Sequence, residues 1–257
     1  MRALFVTFCS FLAGFVLVLP MSVQGAAAVE TLWTFSWPAG HFAGSPAIGD
    51  VNGDGRVDIA VAATDGHVIV LDADGQILWR KQIRGAITIP PTLVDIVGNP
   101  APGVVVVNEF GQIHCFDGVE GILLWDWSLP GRVDWGLTSI VAADIDNDGA
   151  LEIITGDSTG AVACLRDDGE ESWLYKGSHG HTLCPAVGDL DGDGVQEILV
   201  GGVETALVCI SNEGKELWRV EQDARGSSPV VWDLDGDGQQ EILVGVDNKL
   251  AAVDAKG

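Results

Sequence analysis

An acidic nine-residue loop recurs along this chain, each time followed by a short apolar run, and that repetition limits the folds open to it. The clearest copy runs from Asp189 through Asp191, Asp193 and Gly194 to Glu197, with Ile198-Leu199-Val200 directly after it. Near-copies begin at Asp50, Asp144 and Asp233. Oxygen-bearing side chains stand at loop positions 1, 3, 5 and 9, and Gly stands at position 6 of every copy. A second marker keeps step with the loops: a tryptophan, usually after leucine, at Trp33, Trp79, Trp125, Trp173 and Trp218. Successive tryptophans lie 46, 46, 48 and 45 residues apart. A period near 45 is that of a four-stranded β-propeller blade and is too long for one coil of a β-helix.

One unit reads directly as four strands. Ser45 to Gly49, Ile59 to Ala63, His67 to Asp72 and Ile77 to Gln82 are short, apolar and rich in β-branched residues. They are separated by the acidic loop, by Thr64-Asp65-Gly66 and by Asp74-Gly75, which carry turn chemistry. Five such units are visible, the second with a degenerate loop at Asp95. The expected fold is all-β, a propeller of four-stranded blades. Thr31 to Phe35 reads as a fourth strand without its own blade, and the last unit stops after a third strand and its turn. A closed five-bladed ring and part of a larger ring both fit, and the abrupt stop favours the second.

The N-terminus predicts export. Met1-Arg2 precedes an apolar run from Ala3 to Val18, then Pro20 and the small residues Gly25 to Ala28. That is the layout of a secretory signal peptide over residues 1–28, with the propeller over 29–257. An uncleaved anchor is the alternative, and no other segment is long enough to span a bilayer. Four cysteines follow the leader: Cys115, Cys164, Cys184 and Cys209. Three of them hold one position in successive repeats, too far apart to bridge, so they read as buried core residues. The expected location is secreted, periplasmic or at the cell surface.

Composition narrows the partners. Thirty-seven acids against 13 bases give a formal charge of −24, which disfavours nucleic acid and anionic membrane. With 47% hydrophobic residues the charge does not reflect disorder. Much of the acid sits in the loops, where the alternation of carboxylates suits a hard cation such as Ca²⁺. Positions 1, 3 and 5 point inward, Gly permits the sharp turn, position 7 offers its carbonyl and position 9 closes the sphere. An EF-hand is excluded, because position 12 is Val200 and the flanks are strand-like.

These loops, each after a strand such as Pro46-Ala47-Ile48-Gly49, resemble the FG-GAP/VCBS repeats of integrin-α-like propellers. The Gly214-Lys215-Glu216-Leu217-Trp218 element is similar to the tryptophan motif of PQQ-like propeller repeats. The resemblance implies up to four Ca²⁺ ions. The first would be held by Asp50, Asn52, Asp54, the Arg56 carbonyl and Asp58. The next would take Asp144, Asp146, Asp148, the Ala150 carbonyl and Glu152. The third set is Asp189, Asp191, Asp193, the Val195 carbonyl and Glu197, and the last is Asp233, Asp235, Asp237, the Gln239 carbonyl and Glu241. Asn52 removes one charge and should weaken its site, while Val97 and Gly103 predict no metal in the second repeat.

Ligand recognition is expected on the opposite face, where the connections between units vary and carry His41, Phe42, Trp135, His179, His181 and Arg225. Neither a nucleophile elbow nor a phosphate loop is present, and His179, His181 and Cys184 make too short a cluster for zinc or copper. The leading expectation is a non-enzymatic binding, adhesion or scaffold module with a protein or glycan ligand. A polysaccharide lyase acting on uronate polymers is the alternative, with His179, His181 or Lys176 offered as base. A quinoprotein-related propeller is the third reading.

Overall fold

The computed structural model describes residues 31–254 apart from 43, 134–137, 178–183, 203–206, 221–226 and 247. The proposed leader lies outside the described residues. Contacts divide the chain into two units, residues 1–34 and 35–257. The described part of the first, residues 31–34, has no regular structure.

Nineteen strands, all paired antiparallel, build five sheets, and the described residues contain no helix. Sheet 1 holds β1 (Ala47–Gly49), β2 (Asp58–Ala62), β3 (His67–Leu71) and β4 (Ile77–Gln82). Sheet 2 holds β5 (Thr92–Val94), β6 (Gly103–Val107), β7 (Gln112–Asp117) and β8 (Leu123–Ser128). Sheet 3 is β9 (Val141–Ala143), β10 (Glu152–Gly156), β11 (Ala161–Leu165) and β12 (Glu171–Lys176). Sheet 4 is β13 (Ala186–Gly188), β14 (Glu197–Val200), β15 (Leu207–Ile210) and β16 (Glu216–Val220). Sheet 5 has three strands, β17 (Val230–Trp232), β18 (Glu241–Val246) and β19 (Lys249–Val253). Strand order follows the chain in every sheet, the meander of a propeller blade.

The core lies between successive sheets rather than inside one. Alternation along each strand sends one set of side chains forward to the next sheet and the other back. Ala60, Val68, Val70 and Trp79 of sheet 1 meet Val104, Val106 and Phe116 of sheet 2. Val105, Ile113 and Cys115 of sheet 2 meet Ile153, Ala163 and Leu165 of sheet 3. Ile154, Val162 and Cys164 then meet Ile198, Val200 and Ile210, and Leu199, Leu207 and Cys209 meet Ile242 of sheet 5. A strand buried on both faces reads as a continuous apolar run, which is why β6 is Gly-Val-Val-Val-Val.

The repeated tryptophan clamps one sheet to the next. Trp79 Nε1 donates to the Gly118 carbonyl at 2.6 Å, Trp125 Nε1 to Asp167 at 2.8 Å and Trp173 Nε1 to Asn212 at 2.7 Å. Each acceptor sits in the turn between the third and fourth strands of the following sheet. A glycine of that turn lies on the indole: a Cβ at Gly121, Gly169 or Gly214 would come within 2.7, 2.5 or 2.7 Å of the ring. Behind each tryptophan stands Val70, Cys115, Cys164 or Cys209, its cross-strand partner next to a bulge. The four described cysteines are unbridged, and burial pushes the Cys115 and Cys209 thiols up to about 12.

Of the two arrangements expected, the closed ring is not formed among the described residues. Residues 31–37 form no strand, so Thr31 to Phe35 does not supply the fourth strand of sheet 5. Phe35 and Trp37 are engaged at sheet 1 instead. Phe35 stacks on Trp37 with centroids 6.5 Å apart and meets Phe42 at 6.2 Å, while Trp37 Nε1 donates to Asp65 Oδ2 at 3.0 Å. The five sheets form an open arc among the described residues.

Candidate metal loops and the opposite face

Each acidic loop joins the first and second strands of its sheet and is wound by its own carboxylates. Position 1 does most of this. Asp189 accepts from the Gly192 N–H at 2.8 Å and the Gly194 N–H at 3.0 Å, and Asp233 accepts from Gly236 and Gly238 at 2.7 and 3.0 Å. Asp144 accepts from Asp148 and Gly149, and Asp50 from Asp54 and Gly55. Such winding demands left-handed backbone at position 6, met by Gly55, Gly149, Gly194 and Gly238 with φ of 84 to 91°. Position 4 is left-handed as well, and there Asn147 replaces glycine at φ 61°. Its Nδ2 donates to the Gly194 carbonyl, joining two loops.

Position 9 is the buried anchor. Asp58 Oδ2 accepts from the Val51 and Asn52 N–H groups at 3.1 and 3.2 Å. Glu152, Glu197 and Glu241 each take the N–H of loop position 2, from Ile145, Leu190 and Leu234, at 3.0, 2.9 and 2.8 Å. Asp58, Glu152 and Glu197 are 1, 4 and 5% exposed, whereas Glu241 of sheet 5 is only partly buried. Burial pushes all three carboxyls up, and the neighbouring aspartates of the same loop push in the same direction.

Among the described residues three sets of carboxylates converge, Asp144, Asp146 and Glu152; Asp189, Asp191 and Glu197; Asp233, Asp235 and Glu241. Within each set one oxygen from every residue lies within 4.8 Å of the others, so the group could hold a metal ion. These are loop positions 1, 3 and 9. Position 5 stands outside the sets: Asp148, Asp193 and Asp237 each accept from the N–H of position 7, at Ala150, Val195 and Gln239, over 2.7, 2.8 and 2.8 Å. In the first loop Asn52 takes position 3, its amide donating to Asp54 Oδ2 at 3.2 Å, and Arg56 donates its N–H to Asp54 Oδ1 at 2.8 Å. An all-oxygen, anionic donor set fits a hard divalent cation.

On the opposite face two of the six candidates are described. Phe42 bridges to Ala63, and the His41 N–H donates to Thr64 Oγ1 at 3.1 Å. Trp135, His179, His181 and Arg225 lie outside the described residues. Residues not singled out beforehand surround His41 and Phe42. Asp65 Oδ2 lies 2.9 Å from His67 Nδ1, and the His67 and Trp37 rings stand 4.7 Å apart. Burial acts to raise the Asp65 carboxyl, but bonds from Trp37 and His67 outweigh it and hold it low. The neighbouring turn presents Phe110 between two cations, Arg84 at 5.5 Å and Arg132 at 4.9 Å, with Arg132 tied to Glu109 at 2.9 Å. The turns between second and third strands share this face, and their Asp65-Gly66-His67 and Glu109-Phe110-Gly111 sequences were the available signal.

Comparison with known proteins fits this arrangement. The family model described as outer membrane protein assembly factor BamB matches residues 25–197, more than half of the 257-residue chain. Outer membrane protein assembly factor BamB of Burkholderia pseudomallei is 31% identical over 137 residues, 51% of this chain and 32% of the relative. The Bordetella pertussis protein of the same name is 38% identical over 73 residues, 28% of this chain and 17% of the relative. The chain's matches thus span a third or less of these curated relatives. Among solved structures, the Vibrio cholerae biofilm matrix protein Bap1 superposes with a TM-score of 0.67 at 22% identity, over 88% of this chain and 40% of that one, which shows the shared fold. No described helix is long and apolar enough to cross a membrane. The β-propeller with its repeated, clamping tryptophans belongs to the family of outer membrane protein assembly factor BamB.

Proposed function

We propose that this chain is an exported, non-enzymatic scaffold propeller of the periplasm or cell surface that holds a protein partner during outer-membrane protein assembly. The family match over residues 25–197 carries this reading. The signal-peptide pattern of residues 1–28 and the −24 charge support it. The partner binds the face opposite the acidic loops, where the Asp65–His67 pair and the Arg84–Phe110–Arg132 platform offer aromatic and cationic contacts. A glycan is the other ligand class this face suits.

The FG-GAP/VCBS-like loops bind Ca²⁺ as a structural ion. Asp144, Asp146 and Glu152 with their counterparts at 189–197 and 233–241 hold it, and Asp50, Asn52, Asp54 and Asp58 form a weaker first site. Bound calcium supplies charge neutralisation for carboxylates that repel one another. Sites of about 10⁻⁴–10⁻³ M affinity suffice outside cells. The tryptophan element of the PQQ-like repeat is occupied in clamping the sheets, so the likeness to quinoproteins is one of repeat architecture.

Complementation tests the scaffold reading. In a Gram-negative host deleted for its own BamB, the chain restores outer-membrane protein levels, and Phe110→Ala with Arg132→Ala abolishes the rescue. A folded, exported protein that fails to restore them contradicts the proposal. Release of unsaturated sugars from a uronate polymer would establish the lyase alternative.

A further inference from the structure

Loop position 3 separates the first acidic loop from its copies. Asp146, Asp191 and Asp235 fill it elsewhere, and Asn52 fills it here. Position 4 is left-handed, a conformation Gly53 adopts at φ 75°, so the asparagine stands directly before a glycine. Of the six asparagines in the chain, at 52, 99, 108, 147, 212 and 248, Asn52 alone precedes glycine. Asparagine is a thermolabile residue, and its breakdown starts when the next backbone nitrogen attacks the side-chain carbonyl carbon. Glycine hinders that attack least, because it has no Cβ beside the nitrogen.

The surroundings of Asn52 favour the same step. Asn52 is half-buried and Gly53 exposed, so water reaches the dipeptide. The Asp54 N–H donates to Asn52 Oδ1 at 2.9 Å, where negative charge develops as the carbonyl carbon is attacked. Asn52 Nδ2, the leaving group, donates to Asp54 Oδ2 at 3.2 Å. In the loops at Asp189 and Asp233 the position 4 N–H is fixed on the position 1 carboxylate, at 2.8 and 2.7 Å. Gly53 makes no such bond among the described residues, and Asp50 Oδ1 takes the Asp54 N–H instead. The Gly53 nitrogen is therefore free to turn onto the Asn52 side chain.

We propose that Asn52 is a site of spontaneous deamidation and that the aspartate it becomes completes the carboxylate set of the first loop. The Gly53 nitrogen loses its proton to water and bonds to Asn52 Cγ, and the Cγ–Nδ2 bond breaks. Nδ2 takes up a proton from water and leaves as ammonia, giving a succinimide ring. Water then opens the ring. Breaking the bond from the Gly53 nitrogen to Cγ gives aspartate, and breaking its bond to the Asn52 backbone carbon gives isoaspartate. No oxidant or cofactor is consumed. An aspartate at position 52 gives Asp50, Asp54 and Asp58 the acidic partner that Asp191 and Asp235 supply in their own loops. Only that second half rests on the calcium reading above.

The full chain, aged in mildly alkaline buffer and mapped by mass spectrometry after proteolysis, tests the first half. Asn52 should gain the mass of amide-to-acid conversion at least about tenfold faster than Asn108 or Asn147, with aspartate and isoaspartate both present. Asn52→Gln, whose longer side chain closes the ring poorly, should remain unconverted. Conversion no faster than at the other asparagines overturns the proposal. Calorimetric titration with Ca²⁺ tests the second half. Asn52→Asp should bind at the first loop as tightly as the Asp189 loop does, and at least about tenfold more tightly than the freshly prepared parent. A product that is isoaspartate alone, or no tightening in Asn52→Asp while the other loops bind, overturns that half. If no loop binds Ca²⁺, the calcium reading fails and takes the second half with it, while the conversion rate still decides the first. Ageing of the parent chain needs no variant, so misfolding of either substitution leaves that decision intact.

Discussion

Sheets 3 and 5 are built from nearly the same repeat, yet one is sealed and the other bare. On the forward face of sheet 3, Ile154, Val162 and Cys164 are at most 1% exposed, and Glu152 at loop position 9 is 4% exposed. On the forward face of sheet 5, Val230, Trp232 and Leu250 are 55, 67 and 75% exposed. What differs is the neighbour. Sheet 4 covers sheet 3, and nothing described covers sheet 5. Burial here is a property of the stack, not of the individual sheet, as in repeat proteins whose units are stable only against one another. The position 9 carboxylate follows the same contrast, buried at Glu152 of sheet 3 and only partly buried at Glu241 of sheet 5.

The contrast can be broken most forcefully at its tryptophans. Trp79 is buried and clamped under Gly121, so Trp79→Ala should cost about 3–5 kcal/mol. Trp232 has the same side chain on the bare face, and Trp232→Ala should cost less than about 0.5 kcal/mol. Urea melts of the two variants measure the difference, and equal costs would mean that the stack does not control burial. A smaller effect comes from the other half of the clamp. Gly121 has φ 66° and no room for a Cβ beside the Trp79 ring, so Gly121→Ala should cost about 1–3 kcal/mol. Gly236, also left-handed but in open space on sheet 5, should pay only the backbone part of that penalty when changed to alanine, which the same melts resolve.

The mildest prediction concerns pH. Tyr175 of sheet 3 donates to Glu216 of sheet 4 at 2.6 Å, and Arg219 Nε donates to the same carboxylate at 2.7 Å. The Arg219 and Tyr175 bonds hold the Glu216 carboxyl down to about 2. Its contribution to stability is therefore present above the ordinary glutamate value of about 4.3 and lost as pH falls toward 2. Burial, then the Glu216 bond, pushes the Tyr175 hydroxyl up to about 12, so its contribution holds below about 10 and is lost as pH rises through 12. Tyr175→Phe should flatten both limbs of the stability profile measured by chemical melts, lowering stability slightly near pH 7 while the two proteins converge at either extreme.

Much of this was legible in the chain because repetition reports the same physics several times. The strands around Asp65-Gly66 and Asp74-Gly75 are bounded within a residue or two of the reading, since short apolar runs between glycine turns leave little freedom. The period gave the blades, and the alternating acids gave the three converging carboxylate sets. At position 5 the aspartate also accepts the backbone N–H two residues on and so helps to turn the loop, a local role that the alternation of acids does not reveal. The Asp65–His67 pair and the Arg84–Phe110–Arg132 platform escaped notice because Trp37 and the two arginines reach them from other parts of the chain. Ring closure by Thr31 to Phe35 rested on pattern alone. The aromatic contacts of Phe35 and Trp37 at sheet 1 are non-local, and pattern cannot weigh them.

Calorimetric titration of the chain with Ca²⁺, paired with melts in calcium and in chelator, tests the account most directly. Ions should fill the loops at Asp144, Asp189 and Asp233, with the Asp50 loop weaker, and Glu197→Gln should weaken binding more than Glu241→Gln, whose carboxylate is less covered. At tenfold excess over the dissociation constant each filled site should add about 1.4 kcal/mol, raising the melting temperature. No binding heat and identical melts with and without calcium would contradict it, leaving the loops as acidic turns wound by their own hydrogen bonds.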